Sequence, residues 1–156
     1  MKSVKSYVFF ILSALAVGGL SALITSGNMN IYEEIKRPPL SPAPMLFPIV
    51  WTILFILMGI SAAMIYNTET SSMQARKSAL YTYAISLFFN FFWSIIFFNM
   101  RSFLFAFVWL LALLFFIIRT IMKYKEINPI AAYLQIPYLL WVTFAGYLNF
   151  AIWLLN

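Results

Sequence analysis

Residues 103–122 read FLFAFVWLLALLFFIIRTIM, and this stretch decides the fold class. Its single charge, Arg119, stands one turn from the end, where a long side chain can snorkel to an interface. A helix of this length, rising about 1.5 Å per residue, crosses the roughly 30 Å of a bilayer's hydrocarbon core. A helix that is apolar all round must be enclosed by protein or by lipid.

Four further runs of the same kind flank it, at residues 7–25, 45–66, 79–98 and 130–155. The chain has 156 residues, of which 64% are apolar and 9% charged; the mean hydropathy is +0.93. A soluble domain carries about 45–50% apolar and about 25% charged residues, and a small one buries only about two-thirds of its surface. Lipid must cover the excess. The expectation is an all-α membrane protein, a five-helix transmembrane bundle formed as one domain over residues 1–156. The first run follows Lys2 and Lys5 as a signal peptide would, but it is too long and too evenly apolar for one. It reads as a retained first helix.

The connections differ in character. Residues 26–44 hold Pro38, Pro39, Pro42 and Pro44, and a segment this long in a compact bundle is commonly either functional or disordered. Residues 67–77 are polar and rich in Ser and Thr. Residues 99–102 are so few that the helices on either side must be antiparallel neighbours. Residues 123–128 end in Asn128, followed by Pro129, an N-cap with proline at the first helical position.

Charge gives the expected orientation. Lys2, Lys5, Arg76, Lys77, Arg119, Lys123 and Lys125 fall on one side, against Lys36, Arg37 and Arg101 on the other. By the positive-inside rule the N-terminus is cytoplasmic, and the C-terminus and residues 26–44 lie outside. The same rule accounts for the net charge of +6, since the basic residues are scattered; no nucleic-acid partner is expected.

Chemistry is narrowed by what the chain lacks. It has no Cys and no His, and its four acids, Glu33, Glu34, Glu69 and Glu126, lie outside the apolar runs. No metal site is expected, and the usual general base is missing. No intramembrane acid marks a coupling-ion path, and five spans do not divide into equal inverted halves, so active transport is disfavoured.

The excess is aromatic: 17 Phe, 9 Tyr and 5 Trp. Interfacial belts account for Trp153, near the end of the last run, but less well for the deeper Trp93 and Trp141. Asn90, Trp93 and Phe97 share one helical face, as do Trp51, Phe55 and Met58. Tyr138, Trp141 and Ala145, with Leu148 or Asn149, form a third such stripe. Pro137 removes the hydrogen bond that Tyr133 would accept and loosens the fifth span near Gln135. Ala14, Gly18 and Ala22 on the first span, and Gly59 and Ala63 on the second, carry the small-residue spacing that lets backbones approach, within one chain or between two. Core packing accounts for any one aromatic stripe. Three stripes with embedded amides argue for an aromatic-lined pocket.

These residues also carry a resemblance. Lys36-Arg37-Pro38-Pro39 with Ser41-Pro42, Phe47-Pro48-Ile49-Val50-Trp51-Thr52 with Phe55 and Gly59, Asn90-Phe91-Phe92-Trp93-Ser94 with Phe97-Phe98, and Pro137 to Ala145 with Leu148-Asn149 stand in order along nearly the whole chain. In these the sequence resembles the translocator protein family, also called tryptophan-rich sensory proteins or peripheral benzodiazepine receptors, in its bacterial form. The resemblance implies a five-helix bundle, often a homodimer, that binds porphyrins and other tetrapyrroles and isoquinoline- or benzodiazepine-type ligands between its helices, with residues 26–44 folded over the pocket as a lid. The pocket residues it implies are Tyr32, Pro42, Trp51, Phe55, Asn90, Trp93, Trp141 and Ala145, with Phe105 in place of a family tryptophan. Leu40 likewise replaces the tryptophan after the double proline. The sterol motif of animal members is absent, since no Lys or Arg follows Tyr147.

The expected function is therefore a membrane receptor or sensor for protoporphyrin IX-like tetrapyrroles, with no cofactor required. Metal-free porphyrin is favoured over haem, because no His or Cys is present to ligate iron. Lys36 and Arg37 are candidates to meet its propionates. The alternative is light- and oxygen-dependent degradation of bound porphyrin, with Trp51 and Trp141 as electron donors; a tetrapyrrole transporter is a third reading.

Overall fold

The computed structural model describes residues 2–70 and 72–156, without the side chain of Lys2. Met1 and Ser71, which the single-domain and second-connection expectations include, lie outside the described residues. Five helices are long and apolar enough to cross a membrane, and no strand occurs among the described residues. Helix α1 covers Lys2–Thr25, and after a short 3-10 turn the single turn α2 covers Ile31–Glu34. Helices α3 (Leu46–Asn67), α4 (Met73–Ser94) and α5 (Phe103–Ile127) follow. The last span is divided into α6 (Pro129–Leu134) and α7 (Ile136–Leu155).

Several helices outrun the apolar stretches. Helix α4 begins at Met73, because the Ser72 hydroxyl caps it by accepting from Ala75 N at 3.0 Å. Arg76 and Lys77 are therefore helical. Arg76 Nη2 donates to Thr68 O at 2.6 Å, closing the connection to α3. Helix α5 likewise carries Lys123 and Lys125 to its end at Ile127. The break after Leu134 falls where Pro137 predicts it, and Gln135, 1% exposed, turns its amide inward to donate to Ser61 Oγ at 3.2 Å. Asn128 Oδ1 accepts from Ile130 N and Ala131 N, capping α6 ahead of Pro129.

Lipid is as apolar as leucine, so association rests on close packing and interhelical hydrogen bonds. Helix α1 packs mainly on α3, α4 on α5, and α5 on α6 and α7. A Cβ placed on Gly59 would meet the α1 backbone, 2.5 Å from Ile11 Cα and 2.8 Å from Ile11 N. The small-residue spacing on α1 and α3 is thus used within the chain. Phe9, Leu12, Ile53 and Phe115 are among the large side chains left on the outer, lipid-facing surface.

Candidate ligand cavity

Between α1, α3, α4 and α7 lies a cavity of about 480 Å³, within the roughly 300–1,000 Å³ range of small-molecule sites. Its walls are aromatic. Helix α3 supplies Phe47, Trp51 and Phe55, and α7 supplies Trp141, Ala145, Leu148 and Asn149. Helix α4 supplies Asn90 and Trp93. The π-helical turn that continues it, Ile95–Asn99, brings both Phe97 and Phe98 to the cavity. A π turn widens the helix and often marks a functional site. Gly18, Ser21 and Ala22 of α1 form the remaining side; none of the lining residues comes from α5. A separate depression at Arg101–Leu104 and Trp153 is open to the surface.

The rings fix one another. Trp51 stacks on Phe55 at 5.6 Å between centroids and meets Tyr138 edge-on at 6.3 Å. Phe47 stands between Tyr32 and Trp141, at 5.3 and 5.9 Å. Trp93 stacks on Phe97 at 5.3 Å. Edge-to-face and offset contacts of this kind add to simple burial. Two buried amides set the polar geometry. Asn90 Nδ2 donates to the Tyr138 hydroxyl at 2.8 Å. Asn149 Oδ1 accepts from Trp93 Nε1 at 3.0 Å, while its Nδ2 donates to Phe103 O at 2.8 Å. One side chain thereby ties α4, α5 and α7 together at the cavity wall. Trp141 Nε1 is buried without a hydrogen-bond partner among the described residues.

The first connection lies over this cavity, to which Ser26, Met29, Tyr32 and Pro44 contribute. It is fastened at several points. Tyr147 OH donates to Pro39 O at 2.8 Å, and Tyr32 OH to Pro42 O at 3.1 Å. The Asn156 side chain pairs with both backbone groups of Lys36, accepting from N at 3.0 Å and donating to O at 3.1 Å. Arg101 and Glu34 form an exposed ion pair at 3.3 Å. The Arg37 guanidinium lies 5.0 Å from the centre of the Tyr32 ring. Leu40, at the exposed tip, has φ 70°, a left-handed conformation that a leucine adopts at some strain.

Of the residues expected at a site, Tyr32, Trp51, Phe55, Asn90, Trp93, Trp141 and Ala145 are brought together around the cavity. Pro42 is outside the lining and touches it through Tyr32. Phe105 is 46% exposed on α5 and packs on Trp109, away from the cavity. The face of α5 that enters the bundle is Ala106, Leu110, Leu113, Ile117, Thr120 and Tyr124, so position 105 turns outward. Phe47, Phe98 and the α1 residues line the cavity, although the sequence does not single them out as site residues.

The fold and the cavity define a multi-pass integral membrane protein with an aromatic chamber between its helices. The TspO/MBR family profile matches residues 9–154. The chain is 38% identical to the tryptophan-rich protein TspO of Chlorobaculum tepidum, over 91% of this chain and 90% of that protein. It is 31% identical to the protein CrtK of Rhodobacter capsulatus, over 96% and 91% of the two chains. It is 32% identical to the translocator protein of Bos taurus, over 87% and 81%. The chain belongs to the TspO/MBR family.

Proposed function

We propose that the protein is a membrane receptor or sensor that binds flat, largely apolar aromatic ligands of the porphyrin class, with isoquinoline- and benzodiazepine-type molecules as surrogates. The observation that carries this reading is the interhelical cavity with Trp51, Trp93 and Trp141 on its walls. Indole rings offer a planar ligand broad stacking surface, and Asn90 and Asn149 add a small number of fixed polar groups. Lys36 and Arg37, on the connection above, supply positive charge for acidic substituents at a ligand's rim.

The test is absorbance of the purified protein with protoporphyrin IX, in the dark and under light. A saturable spectral shift supports binding, and no shift overturns it. Trp51→Phe and Trp141→Phe are expected to keep the fold and to weaken binding by about 0.5–1.5 kcal/mol each, the scale of one aromatic contact. Trp153→Phe, 38% exposed near the end of α7, is the control and leaves affinity unchanged. Equal behaviour of the three removes the cavity assignment.

A second reading, light- and oxygen-dependent oxidation of the bound porphyrin, is favoured by the position of Trp51 and Trp141 at the cavity, since indoles are ready electron donors. Loss of the porphyrin band under light, with a defined product and slowed in both variants, supports it. A spectral shift without loss leaves binding alone.

The charge bias further proposes a cytoplasmic N-terminus with the lid outside. A reporter fused after Asn156 is then expected on the outer side of the membrane. A cytoplasmic signal would place the lid at the inner face.

A further inference from the structure

Beyond the cavity, the interior of the bundle carries a second set of polar side chains, and most of them are paired. Ser61 Oγ donates to Ala131 O at 2.7 Å, and Thr120 Oγ1 donates to Phe116 O at 2.7 Å. Ser86 Oγ donates to Tyr83 O at 2.7 Å and is a second neighbour of the Tyr138 hydroxyl, which already accepts from Asn90. A polar column therefore leaves the cavity through Asn90, Tyr138 and Ser86.

Two hydroxyls at its far end break the pattern. Tyr83 of α4 is 3% exposed and Tyr124 of α5 is 0% exposed. Their rings are neighbours, 6.4 Å between centroids and tilted by 40°, and neither hydroxyl has a hydrogen-bond partner among the described residues. They belong to the main core cluster of the bundle, together with Ala79, Ala131 and Ala132 but also with larger side chains such as Ile65, Leu113 and Ile117. Buried polar groups are paired in the large majority of cases. Where side chains do not reach each other, an ordered water making two to four hydrogen bonds commonly serves both. Phenylalanine would fill nearly the same space at either position without a polar atom. Two neighbouring tyrosines with unpaired hydroxyls offer donors and acceptors to one small polar occupant.

We propose that Tyr83 and Tyr124 form a binding site for an ordered water molecule, held between their hydroxyls inside the bundle. The occupant is water because it is small and supplies donor and acceptor together, so both phenols are satisfied at once. The site joins α4 to α5 by hydrogen bonds and prolongs the column that begins at the cavity.

The sign of a stability change tests this. Deleting a hydroxyl that has no partner relieves an uncompensated burial and raises the melting temperature. Deleting one that holds a water leaves the opposite phenol short of its bond and lowers it. Tyr83→Phe and Tyr124→Phe, in purified solubilised protein, are each expected to lower the melting temperature by about 2–4 °C. The double variant is expected to melt no lower than the weaker single, because both substitutions empty the same site. A crystal structure of the wild-type protein, at a resolution that resolves ordered water, is expected to place density between the two hydroxyls. A rise or no change in either single variant overturns the proposal, as do additive losses in the double. A direct hydroxyl–hydroxyl contact, or no density between them, overturns it as well. If a single variant fails to fold, the wild-type density decides.

Discussion

Gly59→Ala is expected to destabilise the bundle by about 1–3 kcal/mol, the range for forcing extra atoms into a packed core. The added methyl would stand 2.5 Å from Ile11 Cα and 2.9 Å from Phe10 O. These are backbone atoms of α1, so no rotamer change can clear them; the two helices must separate. Separation loosens the α1–α3 packing that also forms one side of the cavity. Gly19→Ala is the opposite case. Nothing lies within 4 Å of the position its methyl would take, and alanine favours a helix over glycine by up to about 1 kcal/mol. Gly18→Ala is intermediate, since the three atoms nearest its methyl all belong to the Phe55 ring, a side chain that can turn at the expense of cavity shape. Melting curves of the three variants check the order: Gly59→Ala lowest, Gly18→Ala between, Gly19→Ala at or above wild type. Wild-type stability in Gly59→Ala would mean that α1 and α3 do not touch at this point.

That contact is legible in the sequence as spacing, but not as a partner. Ala14, Gly18 and Ala22 announce a close approach and leave open what approaches. The same division runs through the fold. Apolar length marks the part of a helix inside lipid, so all five spans can be read. It is blind to helix that continues into the interface, which is why α4 starts at Met73 and α5 ends at Ile127, beyond the apolar runs. Local chemistry is more informative there: Asn128 is the expected cap and Pro137 predicts the break at Gln135, whereas the Ser72 cap within a Ser/Thr-rich stretch shows only in the structure.

The cavity is legible where a polar residue interrupts an apolar helix. Asn90 on α4 must face the protein interior, and the residues on its face follow, including Trp93 and Phe97. On α5 the stretch from Phe103 to Ile118 has no polar side chain except the Trp109 indole. A helix with no polar stripe shows no preferred face. Resemblance alone points Phe105 to the pocket, and the face through Ala106 and Leu110 turns it to the outside. The tie made by Asn149 is hidden for another reason. Leu148 and Asn149 both continue the α7 stripe, and only the three-dimensional packing shows that the amide reaches Trp93 and Phe103 together.

Asn149→Leu should therefore be among the most disruptive single changes in the bundle. The substitution keeps the number and branching of side-chain heavy atoms but replaces a planar amide by two bulkier methyl groups, so some overpacking is added to the loss of hydrogen bonding. Asn149 is 1% exposed, and its loss strands Trp93 Nε1–H and withdraws a donor from Phe103 O. Each partner left short in a buried site costs about 1–3 kcal/mol, and with the Phe103 carbonyl still available to its own helix the total should be about 2–4 kcal/mol. Trp93→Phe added to Asn149→Leu removes the stranded indole N–H, since replacing both partners by apolar groups can be nearly neutral. The double variant is therefore expected to regain about 1 kcal/mol of stability relative to Asn149→Leu alone, even though a larger ring has been lost. Thermal melts of wild type, both singles and the double measure that coupling directly. On the proposed function, porphyrin affinity should fall in Asn149→Leu, because the amide is what holds the Trp93 ring against the cavity. A double variant that is less stable than Asn149→Leu would show that packing of the indole, and not its N–H, dominates at this wall.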